Sequence, residues 1–109
     1  MSDNVSHNPV DFVMTMSDNG FMKLAWKPEK NEILKKMGRP SVEDVVEALQ
    51  DGGFRDVLRN SNYPDQRILI VMIDGYAHAI PFKEAEGIFF LFTVFPSRAY
   101  QKRYGGKDK

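Results

Sequence analysis

The segment Arg67–Phe82 constrains this chain most. Arg67 is followed by six consecutive apolar residues, Ile68, Leu69, Ile70, Val71, Met72 and Ile73. Such a run, rich in β-branched side chains, reads as a buried strand. Asp74-Gly75 follows, a dipeptide suited to a two-residue hairpin turn with positive φ at both positions. Tyr76 to Phe82 then returns as the partner strand. Glu84 to Gly87 turns the chain again, and Ile88 to Phe95 reads as another strand. Upstream, Phe54 to Leu58 fits a strand, and Asn60 to Asp65 a loop. The result is an antiparallel meander. Its strands are apolar on both faces, so helices or a partner chain must cover both.

The residues before the meander are helical in pattern. Met22 to Trp26 alternates weakly and predicts a short strand. Pro28 suits a first helical turn, where its missing N–H costs nothing. Ile33, Leu34 and Met37 form a narrow apolar stripe, Gly38 ends the helix, and Arg39-Pro40 turns the chain. Ser41 can cap a second helix, with Asp44 placed for a capping box. Val42, Val45, Val46 and Leu49 follow helical spacing, so a helix is expected from Val42 to Gln50, stopped by Asp51-Gly52-Gly53. Pro96-Ser97 breaks the sheet, and Ser97 can cap a short helix from Arg98 to Tyr104. The expected fold is therefore α+β: a short N-terminal strand, two helices, an antiparallel sheet of about four strands and a short basic C-terminal helix.

Charge is distributed unevenly. The 109 residues hold 15 basic and 15 acidic side chains. Met1 to Phe21 carries Asp3, Asp11 and Asp18 and no base, so it is −3; the body is +3. Residues 1–21 are read as a disordered extension, or alternatively as a strand, helix or partner-contacting arm around Val10–Met16. Met22, where regular pattern starts, fits a start site. Residues 22–106 form the expected single domain and 107–109 a tail. The early apolar stretch is too short, and lacks a basic flank, for a secretory signal. With no apolar run of 18 residues, no membrane span is expected, and the expected location is cytoplasmic. The absence of cysteine excludes disulfide, thiolate-metal and thiol-nucleophile chemistry.

Few residues suit catalysis. No phosphate-binding glycine loop, metal motif or nucleophile elbow is present, so no metal and no cofactor are expected. The histidines are His7, in the extension, and His78, in mid-strand. His78 is either a satisfied structural histidine or a general acid or base near neutral pH. Arg98, Lys102, Arg103, Lys107 and Lys109 face one acid, Asp108, with Tyr100 and Tyr104 interleaved. This pattern fits either a solvated terminal helix or phosphate neutralisation with base stacking. Arg67 opens a long strand and suits an edge salt bridge or a cleft border. Lys30, Lys35 and Lys36 suit a solvated helix face, and Glu84 and Glu86 a soluble turn.

Taken in order, these residues resemble the BrnT-like toxins of bacterial type II toxin–antitoxin systems, which are related in fold to the RelE ribonucleases. The likeness spans about Lys23 to Gly106. It rests on Trp26 with Lys30-Asn31 and Lys36, and on Ser41 to Val46. It continues through Tyr63-Pro64-Asp65-Gln66-Arg67, Ile73-Asp74-Gly75-Tyr76 and Pro81-Phe82, and closes on Pro96-Ser97-Arg98 with Lys102-Arg103-Tyr104. Three positions depart from the family pattern. Lys27 stands where an acid usually follows the tryptophan, Met37 stands for a histidine, and the closing helix lacks a glutamate. The resemblance implies a RelE-like fold and a metal-independent endoribonuclease that cleaves RNA to inhibit translation. It implies a cognate DNA-binding antitoxin, of ribbon-helix-helix or helix-turn-helix type, as partner. In that chemistry the RNA 2′-hydroxyl attacks the adjacent phosphate, which needs a base, cations and an acid. Arg67 and Arg98 are expected to meet phosphate charge, and Tyr104 or His78 to assist proton transfer. Lys30, Lys102 and Arg103 are expected to hold RNA. The alternative is a non-catalytic module that docks a partner protein through its apolar sheet and basic helix.

Overall fold

The computed structural model describes residues 11–17 and 20–105, with side chains from Lys23 onward. His7, Lys107, Asp108 and Lys109 lie outside the described residues. The chain runs β1 (Asp11–Ser17), β2 (Gly20–Trp26), α1 (Pro28–Lys36), α2 (Val42–Gln50), β3 (Phe54–Arg59), β4 (Arg67–Ile73), β5 (Tyr76–Ala85), β6 (Ile88–Leu91) and β7 (Phe95–Pro96). A single α-helical turn, α3 (Arg98–Tyr100), passes into a π-helical turn, Gln101–Gly105. No helix among the described residues is long and apolar enough to cross a membrane.

The class is α+β, but the sheet is larger than the expected four strands and is mixed. Its order is β1-β2-β6-β5-β4-β3, with β7 also pairing with β5. β1 lies inside the stretch read as an extension and pairs with β2 from Asp11↔Trp26 to Ser17↔Gly20. The wholly antiparallel expectation is corrected at β2, which pairs parallel with β6. The reason is topological. The two helices let β3 run opposite to β2, and three reversals in the meander then bring β6 back parallel to β2.

Two turns follow directly from their residues. Asp74 and Gly75 have φ of 55° and 79°, and Glu86 and Gly87 have 55° and 81°. Both are primed hairpin turns, which need positive φ at two positions. The second turn uses only Glu86-Gly87, so Glu84 and Ala85 stay paired with Phe89 and Ile88. β5 is therefore longer than expected. β6 is shorter, ending at Leu91 instead of Phe95. The Phe92 N–H still donates to the Pro81 carbonyl at 3.0 Å. Pro81 has no N–H to return on that side, so the ladder stops there. The chain rejoins β5 one step later as β7, at His78↔Pro96 and Ala79↔Phe95.

Register separates the two faces of the sheet. Leu69, Val71, Ile73, Ile80 and Phe82 point to one face, with Leu24, Trp26 and Leu91. Leu34 of α1 and Val42, Val45 and Leu49 of α2 close this core. α2 meets both β4 and the far strand β1, so the sheet curls around it. On the opposite face the small residues Ala77 and Ala79 admit the terminal turns, which lie against β5. Gln101 Oε1 there accepts the Ala77 N–H at 2.8 Å and satisfies that part of the strand edge. β3 carries a bulge between Phe54 and Asp56, and Arg55 turns back onto the carbonyls of Gly52 and Phe54.

The helix pair is joined by Asn31, which is 5% exposed. Its Oδ1 accepts the Val42 N–H at 2.8 Å, and its Nδ2 donates to Glu43 Oε1 at 2.9 Å. Val42 and Glu43 open α2, whose first N–H groups have no partner within the helix. The expected capping box is present as well: Asp44 N–H donates to Ser41 Oγ, and the Ser41 N–H donates to the Asp44 carboxylate. The Asn31 amide, first among several causes, holds the Glu43 carboxyl below its usual value. This contribution is present above about pH 4 and is lost as pH falls through the lowered value.

Replacing Asn31 with Ala strands a buried N–H. It should destabilise the domain by about 1–3 kcal/mol in urea unfolding. Gly53→Ala should cost a similar amount, roughly 1–3 kcal/mol. A Cβ at Gly53 would stand 2.6 Å from the Met72 carbonyl oxygen and 2.8 Å from that of Ala48.

Candidate functional site

The hairpin end of β5 collects the groups best suited to chemistry. An open cleft of about 390 Å³ there is lined by Gly38, Arg39, Pro40, Asp44, Ile73, Asp74, Tyr76 and His78. Three separate pieces of chain build it: the α1–α2 turn, the start of α2, and the β4–β5 hairpin. The helix joint at Asn31 sets the first two pieces, and the Asp74-Gly75 turn sets the third.

His78 is 7% exposed. Its Nδ1 lies 2.8 Å from the Tyr76 carbonyl oxygen. A carbonyl only accepts, so Nδ1 carries the proton and the neutral ring keeps its lone pair on Nε2. Among the described residues Nε2 has no hydrogen-bond partner. The Tyr76 ring meets the imidazole edge-on, with centroids 6.1 Å apart. Arg39 is half-buried in the same cleft and forms no ion pair with the described residues. Asp44 is already engaged in the α2 capping box. The cleft thus offers a held imidazole and one cation, Arg39, in a lining that also carries the Asp44 and Asp74 carboxylates.

Arg98 belongs to the same end of the sheet. Pro96 is the register partner of His78, and the Ser97 N–H donates to the Ala77 carbonyl at 3.0 Å. Arg98 follows directly and is exposed. Ser97 Oγ accepts the Tyr100 N–H at 3.2 Å, as its capping role predicts. Lys102 and Arg103 are exposed on the next turn. None of Arg98, Lys102 and Arg103 forms an ion pair with the described residues, although Arg103 lies over the Tyr104 ring and in the field of Asp56.

Arg67 lies elsewhere. It faces Phe82 in register, five residues along β5 from Ala77, about 17 Å of strand. Its guanidinium is ion-paired to Glu84 at 2.6 Å and stands 5.9 Å over the Phe82 ring. Arg98 thus lies at the His78 end of β5 without lining the cleft, and Arg67 lies toward the other end of that strand. Lys30 is exposed near the start of α1, beside Trp26. Tyr104 is engaged as well: its hydroxyl donates to Asp56 Oδ2 at 2.8 Å, and Arg103 lies 5.3 Å over its ring. Burial, then the Asp56 hydrogen bond, raises the Tyr104 phenol. The Tyr104 hydroxyl, first among the causes, lowers the Asp56 carboxyl. Tyr104 thus pins the basic turn to β3.

Sequence reasoning missed Arg39 and Tyr76 as partners of His78. The signal available for Tyr76 was the two-residue turn, which fixes Tyr76 and His78 on one strand face. Arg39 had no such signal, because its place depends on how the helix pair crosses the sheet. Among the described residues no cluster of histidine and carboxylate groups could hold a metal ion. No protein-family model, curated protein or solved structure matches this chain.

The Tyr104–Asp56 bond should give the C-terminal turn two pH limits. The Asp56 value is lowered, so its contribution holds above about pH 4 and disappears as pH falls through the lowered value. The Tyr104 value is raised, so its contribution holds below about pH 10 and disappears as pH rises through the raised value. Amide hydrogen exchange at residues 100–104 should accelerate beyond both limits. In Tyr104→Phe that exchange should be fast and insensitive to both transitions.

Proposed function

We propose that this chain is the toxin component of a type II toxin–antitoxin system, a metal-independent endoribonuclease that inhibits translation by cleaving RNA. The observation that carries the reading is the His78 imidazole, whose Nδ1 is held by the Tyr76 carbonyl and whose Nε2 has no hydrogen-bond partner among the described residues, in the lining of an open cleft that Arg39 also lines. The order of motifs from Trp26 to Tyr104 supports it, as does the cationic turn bearing Arg98, Lys102 and Arg103.

In this reading Nε2 of His78 takes the proton from an RNA 2′-hydroxyl. The 2′ oxygen bonds to the adjacent phosphorus, and the bond to the 5′ oxygen breaks. Arg39 and Arg98 stabilise charge on the phosphate oxygens as it develops. A proton returns to the 5′ oxygen, and Tyr76 lines the cleft with one to give. The products are a 2′,3′-cyclic phosphate and a free 5′-hydroxyl. Lys102 and Arg103 hold flanking phosphates. Arg67, ion-paired and distant along β5, serves binding in place of the chemical step. A cognate DNA-binding antitoxin would hold the protein inactive.

A second reading is a non-catalytic docking module. Ile33 and Met37 favour it: Ile33 on α1 and Met37 at its C-terminal cap are 50% and 53% exposed. Growth arrest that depends on Arg98 would exclude this second reading.

RNA incubated with the purified protein in excess chelator should yield fragments ending in cyclic phosphate. His78→Gln should slow cleavage by roughly 10²- to 10⁴-fold while leaving urea stability near wild type. Arg98→Ala should abolish growth arrest on induction. If the folded, antitoxin-free protein leaves RNA intact with and without ribosomes, the ribonuclease reading fails.

A further inference from the structure

A second recess lies at the other end of α1. Trp26, Lys27, Lys30, Phe90, Leu91 and Phe92 enclose about 300 Å³. Trp26 and Leu91, 9% and 5% exposed, back the recess from the core face, while Phe90 and Phe92 alternate to the opposite face of the sheet. Phe90 and Phe92 are half-buried walls, and Lys27 and Lys30 are exposed at the rim. Neither lysine has an ion-pair partner among the described residues. The recess forms because β2 and β6 run parallel and end together, leaving their last aromatic residues beside the first turn of α1.

An aromatic-walled slot with two unpaired cations at its mouth suits a flat, apolar ring attached to an anion. Nucleotides have that construction: bases stack on aromatic side chains with little regard to sequence, and lysines neutralise the phosphate. We propose that this slot is a nucleobase subsite, in which one base of a single-stranded RNA lies against Phe90 and Phe92 and its phosphate meets Lys27 and Lys30. The proposal rests on the ribonuclease reading and gives that surface a second anchor. The geometry between the two places is consistent with one strand of RNA. The slot sits by the first turn of α1, and the His78 cleft sits just past its last turn at Gly38 and Arg39. Nine helical residues separate them, about 13 Å. The Phe92 N–H bonds to Pro81, which is three residues along β5 from His78, about 10 Å. On these separations the scissile phosphate would lie a few nucleotides from the anchored base.

Trp26 is the sole tryptophan of the chain, so its emission reports on this slot. The probe is 2′-O-methyl hexauridylate, which lacks the attacking hydroxyl and cannot be cleaved. It should quench Trp26, whereas an abasic oligomer of equal charge should bind more weakly and leave the emission unchanged. Lys27→Glu with Lys30→Glu should weaken binding by tenfold or more. Lys27→Ala with Lys30→Ala should lower the slope of log affinity against log salt by about 1.4. Phe92→Leu keeps the slot filled while removing a ring, and should weaken the hexamer but not the abasic oligomer. The proposal is overturned if the hexamer binds without changing Trp26 emission or if the charge reversal leaves affinity unchanged. It is overturned equally if a peptide of alternating Glu and Leu occupies the slot and the hexamer does not. Cleavage of unmodified RNA separates the two levels. A protein that cleaves through His78 but shows no slot contact loses the subsite alone; one that neither binds nor cleaves loses both.

Discussion

The arrangement depends on one buried amide. Asn31 takes the first N–H of α2 on its oxygen and gives a proton to the Glu43 carboxylate. Each bond would be ordinary at a surface. The bond to the Val42 N–H is buried, so losing it leaves a polar group without a replacement, whereas Glu43 is exposed and can turn to water. The crossing of α1 and α2 follows from this joint. It sets the Gly38–Pro40 turn, and that turn brings Arg39 over the strand carrying His78. A side chain with no chemistry of its own thereby places Arg39, while the Asp74-Gly75 turn places His78.

β5 is the second organising element. One long strand pairs with β4 along one edge, and with β6 and then β7 along the other. Pro81 divides that second edge. Upstream of it, β7 delivers Arg98 beside the His78 end; downstream, β6 delivers the aromatic slot. The same proline thus separates two surfaces that a continuous β6 would have merged. Arg67 lies near the downstream end, with its charge met by Glu84, which is why the conspicuous first residue of the apolar run stands apart from the cleft.

Local chemistry made part of the fold legible. The capping box at Ser41 and Asp44 marked the start of α2, and Asp74-Gly75 marked the central hairpin, because both signals act within a few residues. The parallel pairing of β2 with β6 was illegible, since it depends on the number of reversals between strands far apart in sequence. β1 was hidden by a polar, acidic setting that resembles an extension, although its pairing with β2 spans seven residues. The end of β6 was written in Pro81, but on a different strand. Of the cleft, His78 was visible and its company was not. Tyr104 was visible, but the bond of its hydroxyl to Asp56, 48 residues away, was not.

β3 closes one side of the sheet, and its outer backbone has no neighbouring strand among the described residues. Open strand edges invite other chains to add themselves, the first step toward fibrillar aggregates. Three features of β3 oppose this. The bulge after Phe54 breaks the even spacing of N–H and carbonyl groups, Arg55 occupies two nearby carbonyls, and Arg59 sets a second positive charge opposite Arg67. A visiting strand would meet an uneven, cationic ladder. The arginine pair therefore protects solubility at the rim of the sheet, and self-assembly through β3 is discouraged by the same residues that make that rim attractive to anions.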